Sequence, residues 1–261
     1  MTRIASYGSS GRSQRLIRTF SDAARFVDDA GFCMLFPVRN VPLPSLYHAV
    51  TGRNLFEDWI WDEYSEKVWG WKDDLPRRRA FYGKYLRGRG TLISIERLPN
   101  FLAMAQSAEH ADEHEEFYAA GRISNDARTV WQALAKHGPL ATLELRHACG
   151  MERKAGNIRF KRAILDLQKR LIAVHSGTEQ ETGAWASACF DLTCRVFPEQ
   201  ARAAQRISLH EARARLAKKF AEHQPSAGAT GIARLFGWRK ADAQLACNDA
   251  SVWVRDRAAN E

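Results

Sequence analysis

Apolar and polar residues alternate along this chain at two periods, and the clearest helical stripe lies between residues 157 and 171. There Phe160, Ala163, Ile164, Leu167 and Leu171 fall on one face, while Arg159, Arg162, Asp166, Lys169 and Arg170 lie away from it. Ile158 and Leu165 also point away from the apolar stripe, where they could pack on a neighbour or touch a thymine methyl. Upstream, Ser124 to His137 and Thr142 to Cys149 read as helices joined by a Pro-Leu step, with Leu140 as a minimal strand. Downstream, Ile172 to Ser176 pairs with Ala184 to Asp191 across a Gly-tipped turn over 177–183. This order predicts a winged helix-turn-helix, whose third helix is shaped for a DNA major groove.

The same periodicities divide the rest of the chain. Ser21 as N-cap, the spacing Ala23, Phe26, Val27 and Ala30, and Gly31 as stop predict a first helix. The buried extended run Phe32 to Pro37 follows, then a short helix over Ser45 to Val50 ending at Gly52. Asp74 followed by Pro76 predicts a helix to about Leu86, closed by Gly88 and Gly90 before a strand over Thr91 to Ile95. Helices are also predicted over Leu98 to Gln106 and, strongly acidic, over Glu109 to Gly121. Ser208 and Glu211 form a capping-box pattern opening a helix through about His223. Thr230 to Phe236, Gly237, and Trp238 to about Ala250 read as a second helix-turn-helix without room for a full wing. The expected organisation is a disordered basic tail (1–20), an aromatic-rich α(+β) region (21–121), a winged helix-turn-helix (122–198) and a second, incomplete one (199–261). The fold class is mainly α with small β wings.

Charge sharpens this picture. Residues 1–120 hold 16 Lys+Arg and 16 Asp+Glu, whereas 121–261 hold 23 and 14, so the net +9 sits wholly in the second stretch. A one-sided excess is the footprint of a polyanion binder whose affinity falls as salt rises. The tail carries Arg3, Arg12, Arg15 and Arg18 without an acidic residue or an apolar signal core, and a DNA-contacting arm is its sharper reading. Five cysteines without a Cys-x-x-Cys pair indicate neither a disulfide framework nor a zinc finger, which suits a cytoplasmic setting. The longest apolar runs are far too short to cross a bilayer.

Candidate DNA contacts are Arg153, Lys154, Arg159, Lys161, Arg162, Lys169 and Arg170 on the third helix, with Arg239 and Lys240 opening its counterpart in the second unit. Wing residues such as Thr178 and Gln180 could approach the backbone. His110-Ala-Asp-Glu113-His114 has zinc-peptidase spacing, but the surrounding acidic residues explain it as a solvated helix without metal. The dense aromatics Phe56, Trp59, Trp61, Tyr64, Trp69, Trp71, Phe81, Tyr82 and Tyr85 suit a core better than a platform for an extruded base. Among Asp62, Glu63, Asp73 and Asp74, nothing in the sequence selects a general base.

Phe32-Cys-Met-Leu-Phe-Pro-Val-Arg39, Gly138-Pro-Leu-Ala-Thr-Leu-Glu-Leu-Arg146 and Leu235-Phe-Gly-Trp238 together carry a likeness. From Asp22 to Glu261 the chain resembles the winged-helix family of crosslink-repair and alkylpurine DNA glycosylases and its relatives. The first segment of those enzymes bears a Gln-x-Gln or Gln-x-Asp motif that positions the hydrolytic water, and the matching positions here are Met34-Leu35-Phe36. Neither Met34 nor Phe36 can hold or polarise water. The resemblance therefore implies the fold and DNA affinity without that pair's chemistry, and it includes no C-terminal barrel of the kind such enzymes usually carry. The expectation is a DNA-binding regulator or repair accessory whose partner is double-stranded DNA, with no catalytic residue, cofactor or metal and no membrane contact. The alternatives are a glycosylase using other carboxylates and a protein-binding use of the winged units.

Overall fold

The computed structural model describes residues 16–53, 61–77, 80–183 and 186–258, which leaves Phe56, Trp59, Trp185 and most of the basic tail outside the described residues. In chain order the elements are α1 Phe20–Ala30, β1 Phe32–Met34, α2 Leu46–Thr51, α3 Glu63–Asp74, β2 Ala80–Gly83, β3 Thr91–Ser94, α4 Leu98–Ala105 and α5 His114–Ala119. They continue with α6 Asn125–His137, β4 Leu140–Ala141, α7 Thr142–Ala148, α8 Lys154–Lys169, β5 Ala173–Glu179 and β6 Ser187–Leu192. The last are α9 Thr193–Val196, α10 Pro198–Ala204, α11 Leu209–His223, α12 Gly228–Phe236 and α13 Lys240–Ala258. The protein is mainly helical, with two small antiparallel sheets ordered β1-β3-β2 and β4-β6-β5.

The first sheet is a middle layer. Its strands are buried throughout, because helices cover both faces. Phe81 of β2 faces a cluster built with α4, α11, α12 and α13, including Phe101, Phe220, Ile232 and Leu235. Ala80 and Tyr82, pointing the other way, join Val27, Leu46, Val68 and Trp71 from α1, α2 and α3. The first strands and the last helices of the chain thus share one core.

That two-sided burial overturns the helix predicted from Asp74 to Leu86. The helix lies upstream as α3, Pro76 sits in the single tight turn Leu75–Arg77, and Ala80–Gly83 pairs with β3. A strand buries alternate residues on opposite faces, which an amphipathic helix of this length cannot do. Smaller corrections follow the caps. α1 is capped by Thr19, whose Oγ1 accepts from the Asp22 N–H at 3.1 Å while Asp22 accepts back from Thr19, so Ser21 lies inside the first turn. α5 covers only His114–Ala119, because the Glu113 carboxylate accepts the backbone N–H of Glu109 at 2.8 Å and holds a turn before it. α8 begins at Lys154, earlier than Asn157. Ser208 caps α11 by accepting from the Glu211 N–H at 3.2 Å, but Glu211 turns to Arg215 and leaves the capping box half formed.

The second sheet closes on α6, α7 and α8 around a separate cluster with Trp131, Leu134, Phe160, Ile164 and Leu167 at its centre. Trp131, fully buried, still satisfies its indole N–H by donating to the Ala111 carbonyl at 2.8 Å. α7 has no side-chain cap of its own, and Glu181 from the β5–β6 loop supplies one, accepting the N–H groups of Leu143 and Glu144 at 2.9 Å each. Burial would raise the Glu181 carboxyl, but these bonds and that from Ser187 outweigh it and hold it below the ordinary range. Glu181→Ala is expected to cost about 1 kcal/mol in urea unfolding and to free the loop for proteolytic nicking, whereas Glu181→Asp retains part of both.

Candidate functional site

The order α6, β4, α7, α8, β5, β6 leaves one face of α8 uncovered. Phe160, Ala163, Ile164 and Leu167 bury the opposite face, so Lys154, Ile158, Lys161 and Leu165, with Arg162 and Lys169 flanking them, form an outward stripe at helical spacing. Along the first three turns the stripe is open: Ile158 is 51% exposed, and Lys154, Lys161 and Arg162 are exposed with no carboxylate partner among the described residues. Arg153, at the N-cap position, is likewise exposed. At the last turn the stripe meets the segment between β2 and β3. A methyl group at Gly88 would lie 3.3 Å from Lys169 Cε and 3.9 Å from Leu165 Cδ1, and Gln168 accepts the Lys84 N–H at 2.9 Å.

The remaining basic candidates are not equivalent. Arg159 grips Asp126 in the first turn of α6 through Nε at 2.9 Å and through Nη2, and that hydrogen bond holds the carboxyl below its usual range. Arg170 pairs with Asp166 at 3.1 Å, and Arg239 holds Asp242 through two hydrogen bonds. Each of these three arginines has a carboxylate partner. Lys240 opens α13, exposed and without a carboxylate partner among the described residues.

Beside α8, the two halves of the chain meet at a buried polar contact that sequence reading missed. His175 of β5, 3% exposed, is 2.7 Å from Asp73 Oδ1, and the Lys72 ammonium reaches the same oxygen. Tyr82 of β2 stands edge-on to the His175 ring, with centroids 5.4 Å apart. Burial alone would raise the Asp73 carboxyl, but the hydrogen bonds from His175 and Lys72 prevail and hold it below the ordinary value. Burial and the Asp73 charge push the Tyr82 phenol up. The only sequence signal was Asp73 itself, one of four carboxylates that nothing distinguished. Asp62 is spent otherwise: it caps α3 through Ser65 at 2.8 Å and accepts from Tyr47 at 3.1 Å. Glu63 and Asp74 are exposed.

The positions matching the glycosylase motif diverge. Met34 is fully buried in the cluster shared with α11 and α12. Phe36, just past the end of β1, packs on the other side against Tyr47, Trp61 and Trp69, with centroids 5.7, 6.2 and 6.3 Å away. Of the aromatics read as core, Trp71, Phe81 and Tyr82 are buried, while Trp61, Tyr64 and Trp69 are 45%, 37% and 41% exposed. His110 lies outside α5 and His114 opens it, and no group of three or more potential metal ligands occurs among the described residues.

Asp73→Asn leaves the Lys72 ammonium and His175 buried against a neutral amide, so a loss of about 3 kcal/mol is expected in denaturant unfolding. Because the Asp73 pKa is depressed on folding, its contribution is present above about pH 4 and is lost as the pH falls further. The variant is therefore expected to show a shallower acid limb than the wild type in stability measured against pH.

Neither a curated protein nor a solved structure matches the chain. The family model described as AlkZ related does match, over residues 17–237, which is most of its length. The chain thus belongs to the AlkZ-related family.

Proposed function

We propose that this protein is a double-stranded DNA-binding member of a repair-linked family, acting through a winged helix-turn-helix without chemistry of its own. AlkZ is a DNA glycosylase for crosslink repair, which supports DNA repair as the setting. The succession α6, α7, α8 followed by the β5–β6 hairpin, with strand order β4-β6-β5, is that of a winged helix, and α8 is its recognition helix. α11, α12 and α13 form a second such unit, with the β1-β3-β2 sheet packed on it as its β-layer. The single observation that carries the reading is the stripe Lys154, Ile158, Lys161 and Arg162 on α8, cationic, open and without a carboxylate partner among the described residues. Its ammonium and guanidinium groups suit phosphates, and Ile158 suits a thymine methyl.

Met34 and Phe36 offer no polar atom to a hydrolytic water and face different clusters, which supports a role as regulator or repair accessory. One observation favours a glycosylase instead. Asp73 is kept ionised beside the exposed aromatics, since Lys72 both bonds it and lies 4.2 Å from the Trp69 ring centroid. Abasic-site product from alkylated or crosslinked duplexes, lost in Asp73→Asn under conditions where circular dichroism shows that variant folded, would establish that second reading. An odd number of cysteines, five, without a Cys-x-x-Cys pair supports a reducing compartment, and no helix among the described residues is long and apolar enough to cross a membrane.

Duplex affinity measured against salt tests the main reading. Lys161→Ala/Arg162→Ala is expected to weaken binding on every sequence and to make the slope of log K on log salt shallower by about 2. Unchanged affinity and slope would remove α8 from the interface.

A further inference from the structure

A second cationic feature lies where the stripe of α8 ends. The loop after β1, the turn between β2 and β3, and α12 line an open cavity of about 490 Å³. Four guanidinium side chains line it: Arg39, Arg87, Arg89 and Arg234. All four are exposed, and none has a carboxylate partner among the described residues. This contrasts with Arg159, Arg170 and Arg239, each of which is paired.

Four like charges facing one cavity repel one another, and an anion seated among them converts that repulsion into attraction. Planar guanidinium forks match the oxygens of a phosphate in particular. The backbone is also held unusually here. Asn40 and Arg87, both lining the cavity, are non-glycine residues in the left-handed region, with φ of 62° and 54°. Such conformations carry a cost and gather at ligand clamps. The Arg87 Nη1–H donates to the Arg234 carbonyl at 3.5 Å, so turn and helix meet across the cavity rim.

The cavity is contiguous with α8. Lys169 and Leu165, where the stripe meets the β2–β3 segment, lie against Gly88, which separates Arg87 from Arg89. A backbone running down the stripe from Lys154 therefore arrives at these arginines. The geometry points to a phosphate-binding pocket formed by Arg39, Arg87, Arg89 and Arg234, filled by a backbone phosphate of the same duplex that α8 meets. This rests on the DNA-binding reading and extends the interface to residues from both ends of the chain.

The test compares the full-length wild type, Arg87→Gly/Arg89→Ala, Lys161→Ala/Arg162→Ala and the combined variant. Glycine adopts the positive φ of residue 87 freely, so the pocket variant keeps its fold, which thermal unfolding in chloride verifies. Titrating a short labelled duplex at several salt concentrations, the pocket variant is expected to bind about tenfold more weakly than wild type, with a slope shallower by about 1 to 2. Its effect adds to that of the α8 variant. Inorganic phosphate at matched ionic strength is expected to raise the Tm of wild type and not of the pocket variant. Wild-type affinity and slope in the pocket variant, alongside weakened binding by the α8 variant, would overturn the pocket while leaving the α8 reading intact. A phosphate-dependent Tm shift with unchanged duplex binding would overturn the DNA source and assign the pocket to a free phosphate compound. Absence of duplex binding by wild type would overturn both readings together.

Discussion

The contact on which the candidate interface depends is the hydrogen bond between His175 and Asp73, buried where β2 meets β5. It ties the end of α3 to the hairpin of the second half, with Tyr82 of β2 packed edge-on to the imidazole and Lys72 completing the charge balance. Tyr82 brings β2 against the same imidazole, and the segment that follows β2 reaches the last turn of α8, where Gln168 accepts from Lys84. A polar contact inside an otherwise apolar seam specifies register more sharply than hydrophobic packing does, because any sliding leaves charges buried without partners. The junction of the α8 stripe and the arginine-lined cavity is set by that register.

Charge along the chain and charge in space tell different stories. The first 120 residues sum to zero, yet Glu109, Asp112, Glu113, Glu115 and Glu116 crowd one acidic segment, while Arg39, Arg87 and Arg89 come together with Arg234 from far along the chain. Neutrality by sum thus conceals segregation by fold. In the second stretch the reverse holds: several arginines that swell the net charge are engaged by Asp126, Asp166 and Asp242. What a polyanion meets is the unpartnered subset, which depends on which carboxylates folding brings alongside.

Elements whose signal is local were legible in the sequence. Gly31, Gly52 and Gly237 end helices with positive φ, Ser45 and Ser124 cap them, and the apolar face of α8 follows from spacing alone. Elements decided by distant partners were not. Ala80–Gly83 becomes a strand because α3 and α11 cover its two faces, and no period within four residues announces that. The cap of α7 comes from Glu181, nearly forty residues away, so the helix start carries no signature of its own. Of the site, the α8 stripe was readable as a helical face. The cavity was not, since its four arginines come from three separate segments.

The divergence of Met34 and Phe36 bears on what this branch of the family can do. Two side chains that activate a single water must converge on one point, which successive same-face positions of a strand achieve. Here β1 ends at Met34, and the chain bends so that residue 36 joins the cluster opposite the one that holds residue 34. Glutamine at both positions would bury one amide in an apolar core and set the other among aromatic rings. The departure is therefore one of backbone and packing as well as of side-chain chemistry. The cationic surface, by contrast, makes no demand on either position, so the DNA binding proposed for α8 does not depend on what residues 34 and 36 can do.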